Sequence, residues 1–157
     1  MIDINCDMGE IPEDIYGGSQ EALLAYVTSI NVACGGHAGD ERSMRTTVEQ
    51  ALRHNVSVGA HPSYVDIANF GRTELNLPSE QISDDVFRQV CALAAIHRPS
   101  HVKPHGALYN QAARDARVAQ AIAEGVARWS KDVVLMGLAG SLSLEVYQSA
   151  GFKTLAE

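Results

Sequence analysis

Apolar residues recur along this chain with two different periods, and the two alternate. Short apolar runs, most of them alternating with polar residues, suit strands, expected at Ile2–Cys6, Ile30–Cys34, Val56–Ala60, Val102–His105 and Val133–Leu138. Between them lie stretches of helical spacing. These are Ser19–Thr28, Asp40–Asn55 with Met44, Val48, Ala51 and Leu52 on one stripe, Ser79–His97, Asp115–Ser130 and Ser141–Ala150. SEQISDD would cap the third helix and set negative charge in its first turn, and Gly151 stops the last. Tyr64–Pro78 has neither period and is expected to be a long loop or lid. The closing FKTLAE reads as the start of one more strand. Strands alternating with helices predict an α/β domain built on a parallel sheet.

A parallel strand covered on both faces normally reads as continuously hydrophobic. Here one face of each strand is small or polar. Ile2, Ile4 and Cys6 oppose Asp3, Asn5 and Asp7; Ile30, Val32 and Cys34 oppose Asn31, Ala33 and Gly35; Val56, Val58 and Ala60 oppose Ser57, Gly59 and His61. The economical arrangement packs the apolar faces under helices and turns the polar faces toward a shared cavity. Ligands of α/β folds gather at the carboxyl ends of parallel strands, and those ends carry Asp7, Glu10, His37, Asp40, His61, Lys103 and His105.

Two imidazoles and a carboxylate at equivalent strand ends, His37, His61 and Asp7, could bind a divalent metal ion and leave positions open for water or substrate. Hydrogen-bonded histidines lining a polar core are the plainer alternative. Lys103 and His105 share a face of their strand, where a lysine can offset negative charge developing on oxygen and a histidine can shuttle a proton. A structural ion pair between Lys103 and Asp7 or Glu10 is the alternative there. His101, at the strand start, reads as structural.

The bulk properties narrow the field. At 157 residues the chain has room for one domain with a core. It has 46% hydrophobic and 20% charged residues, the balance of a soluble globular protein without a membrane span. A formal charge of -7 and the lack of any Lys/Arg cluster argue against nucleic acid. The three cysteines form no paired or zinc-finger spacing and read as reduced thiols. MIDINCDMGE is no targeting signal, so a cytoplasmic location is expected.

Five blocks, NCDMGE, NVACGGHAGD, GAHPSY, FGR and HVKPHGALYN, in that order and spread over the whole chain, resemble the LamB/YcsF family. The resemblance implies a (β/α) barrel-like domain related to polysaccharide-deacetylase-like barrels and metal-dependent hydrolases. It also implies ATP-dependent ring opening of 5-oxoproline to glutamate, in the role of the A component of a 5-oxoprolinase beside its B and C components. Asp7, Lys103 and His105 are then expected to be catalytic. Asn5, Glu10, Asp40 and Asn110 are expected to bind substrate, and Asp7, His37 and His61 to hold any metal. Gly36 stands where family members usually carry phenylalanine, which is expected to widen the pocket. Members also continue past FKTLAE, so the barrel is expected to lack its C-terminal strands here. Competing readings are a metal-dependent amide or carbohydrate hydrolase or deacetylase that needs no ATP, and a non-catalytic binding component whose exposed sheet edge suits a partner or a homo-oligomer.

Overall fold

In the computed structural model, which describes residues 3–157, each strand lies beside the one before it. The strands are β1 (Asn5–Met8), β2 (Ser29–Ala33), β3 (Ser57–His61), β4 (His101–Val102), β5 (Val134–Gly137) and β6 (Lys153–Ala156), forming one six-stranded, all-parallel sheet in the order β1 to β6. The helices are α1 (Pro12–Gly17), α2 (Ser19–Leu23), α3 (Glu41–Arg53), α4 (Ser79–Ala94), α5 (Gly106–Ala112), α6 (Ala116–Trp129) and α7 (Leu142–Ser149), with a short 3-10 turn at Ile67–Asn69. Sequential order with intervening helices is the progression of a (β/α) barrel. The sheet curls accordingly: the Asn5 side chain on β1 donates to Glu157 just beyond β6 at 2.9 Å.

The register explains why the two strand faces differ in composition. Asp7 pairs with Asn31, Asn31 with Gly59 and Gly59 with His101, so these residues share one rung and point to one side. The opposite side carries Ile30, Val32, Val58, Ala60, Val102 and Leu135, all essentially inaccessible to solvent. Covering them are Met44, Val48 and Ala51 of α3, Ile82, Val86, Val90 and Leu93 of α4, and Val118, Ile122 and Val126 of α6. Each large aliphatic side chain buried this way stabilises the fold by about 1.5–3 kcal/mol. Apolar cover outside and polar groups inside is the arrangement expected from the alternation.

Element ends shift for identifiable reasons. β1 is displaced toward Met8, because pairing with β2 begins at Asn5; Ile2, where its start is expected, lies outside the described residues. β4 is only two residues long because Pro104 has no N–H for the ladder, yet the extended path continues. Lys103 N–H donates to the Ala60 carbonyl at 2.9 Å and His105 N–H to the Pro62 carbonyl at 2.9 Å, which keeps both side chains on one face. Pro12 opens α1, which the periodicity does not predict, and Gly18, in the left-handed region, divides it from α2. Helix α4 begins at Ser79 without any side-chain cap, so SEQISDD supplies no N-cap. Asp115 does cap α6, accepting from the Arg117 and Val118 amides. No helix among the described residues is long and apolar enough to cross a membrane.

Candidate functional site

Polar side chains from four strands meet inside the curl of the sheet. Asn31, fully buried on β2, stands at the centre: its amide donates to Asn5 Oδ1 at 2.7 Å and to Asp7 Oδ1 at 2.8 Å, and its Oδ1 receives His101 Nε2 at 2.8 Å. The His101 ring lies over Gly59, where a Cβ would fall inside van der Waals contact of the ring. Burial, ahead of any neighbouring charge, pushes the His101 pKa down to about 4, so it serves as a neutral spacer behind Asn31.

Lys103 closes the front of this array. Its ammonium lies 3.1 Å from Asp7 Oδ1, 3.1 Å from Glu157 Oε1 and 3.3 Å from Asn5 Oδ1. Burial alone would raise the Asp7 pKa. Its hydrogen bond to and field from His61, then the Lys103 ammonium and the Asn31 amide, outweigh it and hold the carboxyl well below the usual range. Glu157 is likewise lowered against burial, by its bonds to Asn5 and Lys103. Tyr109 completes the group, its hydroxyl donating to Glu157 Oε2 at 3.2 Å.

Beside it lies a second cluster, composed of Glu10, His37, His61 and His105, whose ligand atoms all fall within 4.8 Å of one another. His37 Nε2 is 2.8 Å from Glu10 Oε1, His105 Nδ1 is 3.0 Å from His61 Nε2, and the His37 and His105 rings stack at 3.7 Å. The remaining nitrogens of two rings are fixed by backbone: His61 Nδ1 donates to the Lys103 carbonyl at 2.7 Å, and His105 Nε2 to the Phe70 carbonyl at 2.9 Å. Burial first, then the neighbouring His37 and His61, push the His105 pKa down to about 4. Glu10 is held below its ordinary value against burial by its bond to His37 and the nearby imidazoles. Three imidazoles and a carboxylate at these separations could hold a metal ion.

The expected lid supplies one wall. Phe70 sits in the left-handed region at φ 55°, rare for a bulky residue, and thereby aims its carbonyl at His105. Gly71 follows at φ 63°, letting the backbone lie against His37 and His105. Opening outward from Asp7 and Glu10 is a cleft of about 260 Å³, also lined by Met8, Ile11, Asp14, Ser19, Gln20 and Leu23. That volume suits a small molecule.

Measured against the sequence expectations, Asn5, Asp7, Glu10, His37, His61, Lys103 and His105 come together. The metal set differs: Glu10 and His105 join His37 and His61, while Asp7 stands next to the group, its Oδ2 3.3 Å from His61 Nε2. Asp40 is engaged elsewhere, accepting from the Ser43 amide at 2.7 Å as the N-cap of α3. Asn110 is exposed on α5, one turn beyond His105. Gly36 does not widen the site, because Gln89 and Ser63 occupy the space a side chain there would need. Asn31 is expected on the cavity-facing side but not as a site residue, and Tyr109, Phe70 and Glu157 join the site without any sequence expectation pointing to them, although the strand-end rule applied to FKTLAE marks Glu157.

Comparison with known proteins agrees with this frame. The chain is 50% identical to the A component of 5-oxoprolinase from Chloroflexus aurantiacus, with 99% of this chain and 64% of that protein covered. It is 45% identical to the one from Geobacillus thermodenitrificans, with 99% and 62% covered. It thus spans somewhat under two thirds of the length of these relatives. The crystal structure of a lactam utilization protein from Thermus thermophilus superposes with a TM-score of 0.92 at 37% identity, covering 99% of this chain and 65% of that one. The LamB/YcsF family model matches residues 2–157. From end to end, therefore, the chain belongs to the LamB/YcsF family.

Proposed function

We infer that this chain provides the lactam-handling centre of an ATP-dependent 5-oxoprolinase, in the role of the A component beside the B and C components. The observation that carries this reading is the Lys103 ammonium, held 3.1 Å from both Asp7 and Glu157 beside His61, with Asp7 also lining a cleft of about 260 Å³. The relatives' printed names supply the substrate class.

The chemistry needs these groups. A lactam is a stable amide, and transfer of the terminal phosphoryl of ATP to its oxygen makes the carbon electrophilic. Water then adds, the C–N bond breaks as the ring nitrogen takes a proton, and a second water splits the resulting acyl phosphate into glutamate and phosphate. Lys103 stabilises negative charge on the amide oxygen or the arriving phosphoryl. With Nδ1 donating to a carbonyl, His61 works through Nε2, and together with Asp7 it takes the proton from water. A neutral His105, 3.0 Å away, accepts that proton from His61 and passes it toward the ring nitrogen. The supply of ATP makes the cytoplasm the compartment this reading requires.

The test is to combine the purified chain with the B and C components and follow glutamate and phosphate from 5-oxoproline. One phosphate per glutamate, strictly dependent on ATP and on the partners, is the expected result. Glutamate formed without nucleotide would replace this reading with an ATP-independent amide hydrolase, the alternative that the Glu10/His cluster favours. No glutamate in any combination, with the chain folded, would leave a non-catalytic binding component.

A further inference from the structure

We propose that Glu10, His37, His61 and His105 form a binding site for one divalent transition-metal ion, of the zinc type, with the Lys103 and Phe70 carbonyls orienting two of its imidazoles. The proposal rests on the functional reading of the same site and revises it at one point: in the metal-bound chain His61 Nε2 and His105 Nδ1 are ligands, and Asp7 takes the proton from water.

A backbone carbonyl can only accept, so His61 carries its proton on Nδ1, toward Lys103, and His105 carries its proton on Nε2, toward Phe70. With both rings neutral, each is left with one lone pair, and those two lone pairs face each other across 3.0 Å. Two acceptors at that separation repel unless a positive centre lies near both. On the flanks are more acceptors: Glu10 Oε1 is 3.6 Å from His105 Nδ1, and Asp7 Oδ2 is 3.3 Å from His61 Nε2.

A single proton would relieve one pair of these atoms. A divalent ion relieves several at once, and histidine with a carboxylate is the donor set zinc and its neighbours prefer. Metal-bound histidines characteristically donate their other ring nitrogen to a carbonyl or carboxylate, as His61 and His105 do here. His37 differs, because its Nδ1 is buried without a partner among the described residues. Its Nε2, 2.8 Å from Glu10, is the nitrogen turned to the group. All three rings are at least nine-tenths buried, which shields such an ion from competing water.

The experiment uses the purified chain, stripped with chelator and titrated with zinc by calorimetry and with cobalt by visible absorption. One ion per chain is expected, with the intense visible bands of a four-coordinate cobalt centre. His61→Ala and His105→Gln should each weaken binding by more than the roughly 10- to 100-fold typical of losing an outer-shell partner. His54→Gln, on the exposed surface, should leave it unchanged. Should either site variant unfold, nitrogen spectra of the histidine rings in the unmodified chain give the same answer: zinc should shift the His61 Nε2 and His105 Nδ1 signals. The proposal is overturned by a folded chain that takes up no zinc or cobalt, by binding indifferent to His61 and His105, or by ring spectra showing a doubly protonated His61 that zinc does not alter. Each of these outcomes leaves the ring-opening assay, which needs partners and ATP, to be decided separately.

Discussion

Replacing Lys103 with methionine is expected to lower ATP-driven ring opening by about 100- to 1,000-fold, the scale of losing one preorganised charge-stabilising donor. Methionine keeps the unbranched stem and apolar packing of lysine, so the fold should survive. What disappears is the cation between Asp7 and Glu157, each 3.1 Å from it. The loss should fall on kcat more than on KM, since the charge it offsets develops during the reaction. Lys103→Arg should recover part of the activity by restoring charge in a different geometry. Circular dichroism and a urea midpoint establish folding alongside the kinetics. Near-normal turnover in a folded Lys103→Met protein would remove the lysine from the mechanism.

The second large effect is expected at a position with no chemistry of its own. Gly59→Ala should destabilise the chain by about 3 kcal/mol, the upper range for forcing a methyl group into a filled interior. The added Cβ would collide with the His101 ring, which lies on Gly59 and is itself buried. Moving that ring breaks the His101–Asn31 hydrogen bond at 2.8 Å and loosens the amide that holds Asn5 and Asp7. Turnover should therefore fall together with stability. In a His101→Ala background the same substitution should cost much less, because the colliding ring is gone. Equal costs in the two backgrounds, read from urea midpoints in a double-mutant cycle, would show that the ring and the glycine are not coupled.

Much of this structure is legible in the residue pattern, and the exceptions have local causes. The alternation of Asn5, Asp7, Asn31, Gly59 and His61 against Ile30, Val32, Val58 and Ala60 marks an inward polar face, because strand period is a strong signal even in short runs. The parallel, barrel-like sheet follows from strands alternating with helices. Boundaries are less readable: Pro104 removes a ladder donor and shortens β4, and α1, ended by Gly18, shows no helical periodicity in the sequence. In the site, strand ends identify Asp7, His61, Lys103 and His105. Position does not tell Asp40 from a ligand, since an acid after CGGHAG serves equally as a helix cap. Asn31 is harder to find because it lies inside a strand, away from the end where ligands gather. The exchange of Asp7 for Glu10 in the histidine cluster depends on the turn at Gly9, φ 79°, which no periodicity encodes.

The central claim is that 5-oxoproline is handled where Asn5, Asp7, Asn31, His61 and Lys103 meet. It is tested most directly by titrating the labelled chain with 5-oxoproline and recording backbone and side-chain amide spectra. The expected result is a saturable set of shifts confined to the side-chain amides of Asn5 and Asn31 and to the backbone around Asp7, Glu10 and Lys103. Shifts at a surface remote from these residues would contradict it. So would none at all in a chain that supports turnover with its partners, which would move the lactam to one of those partners.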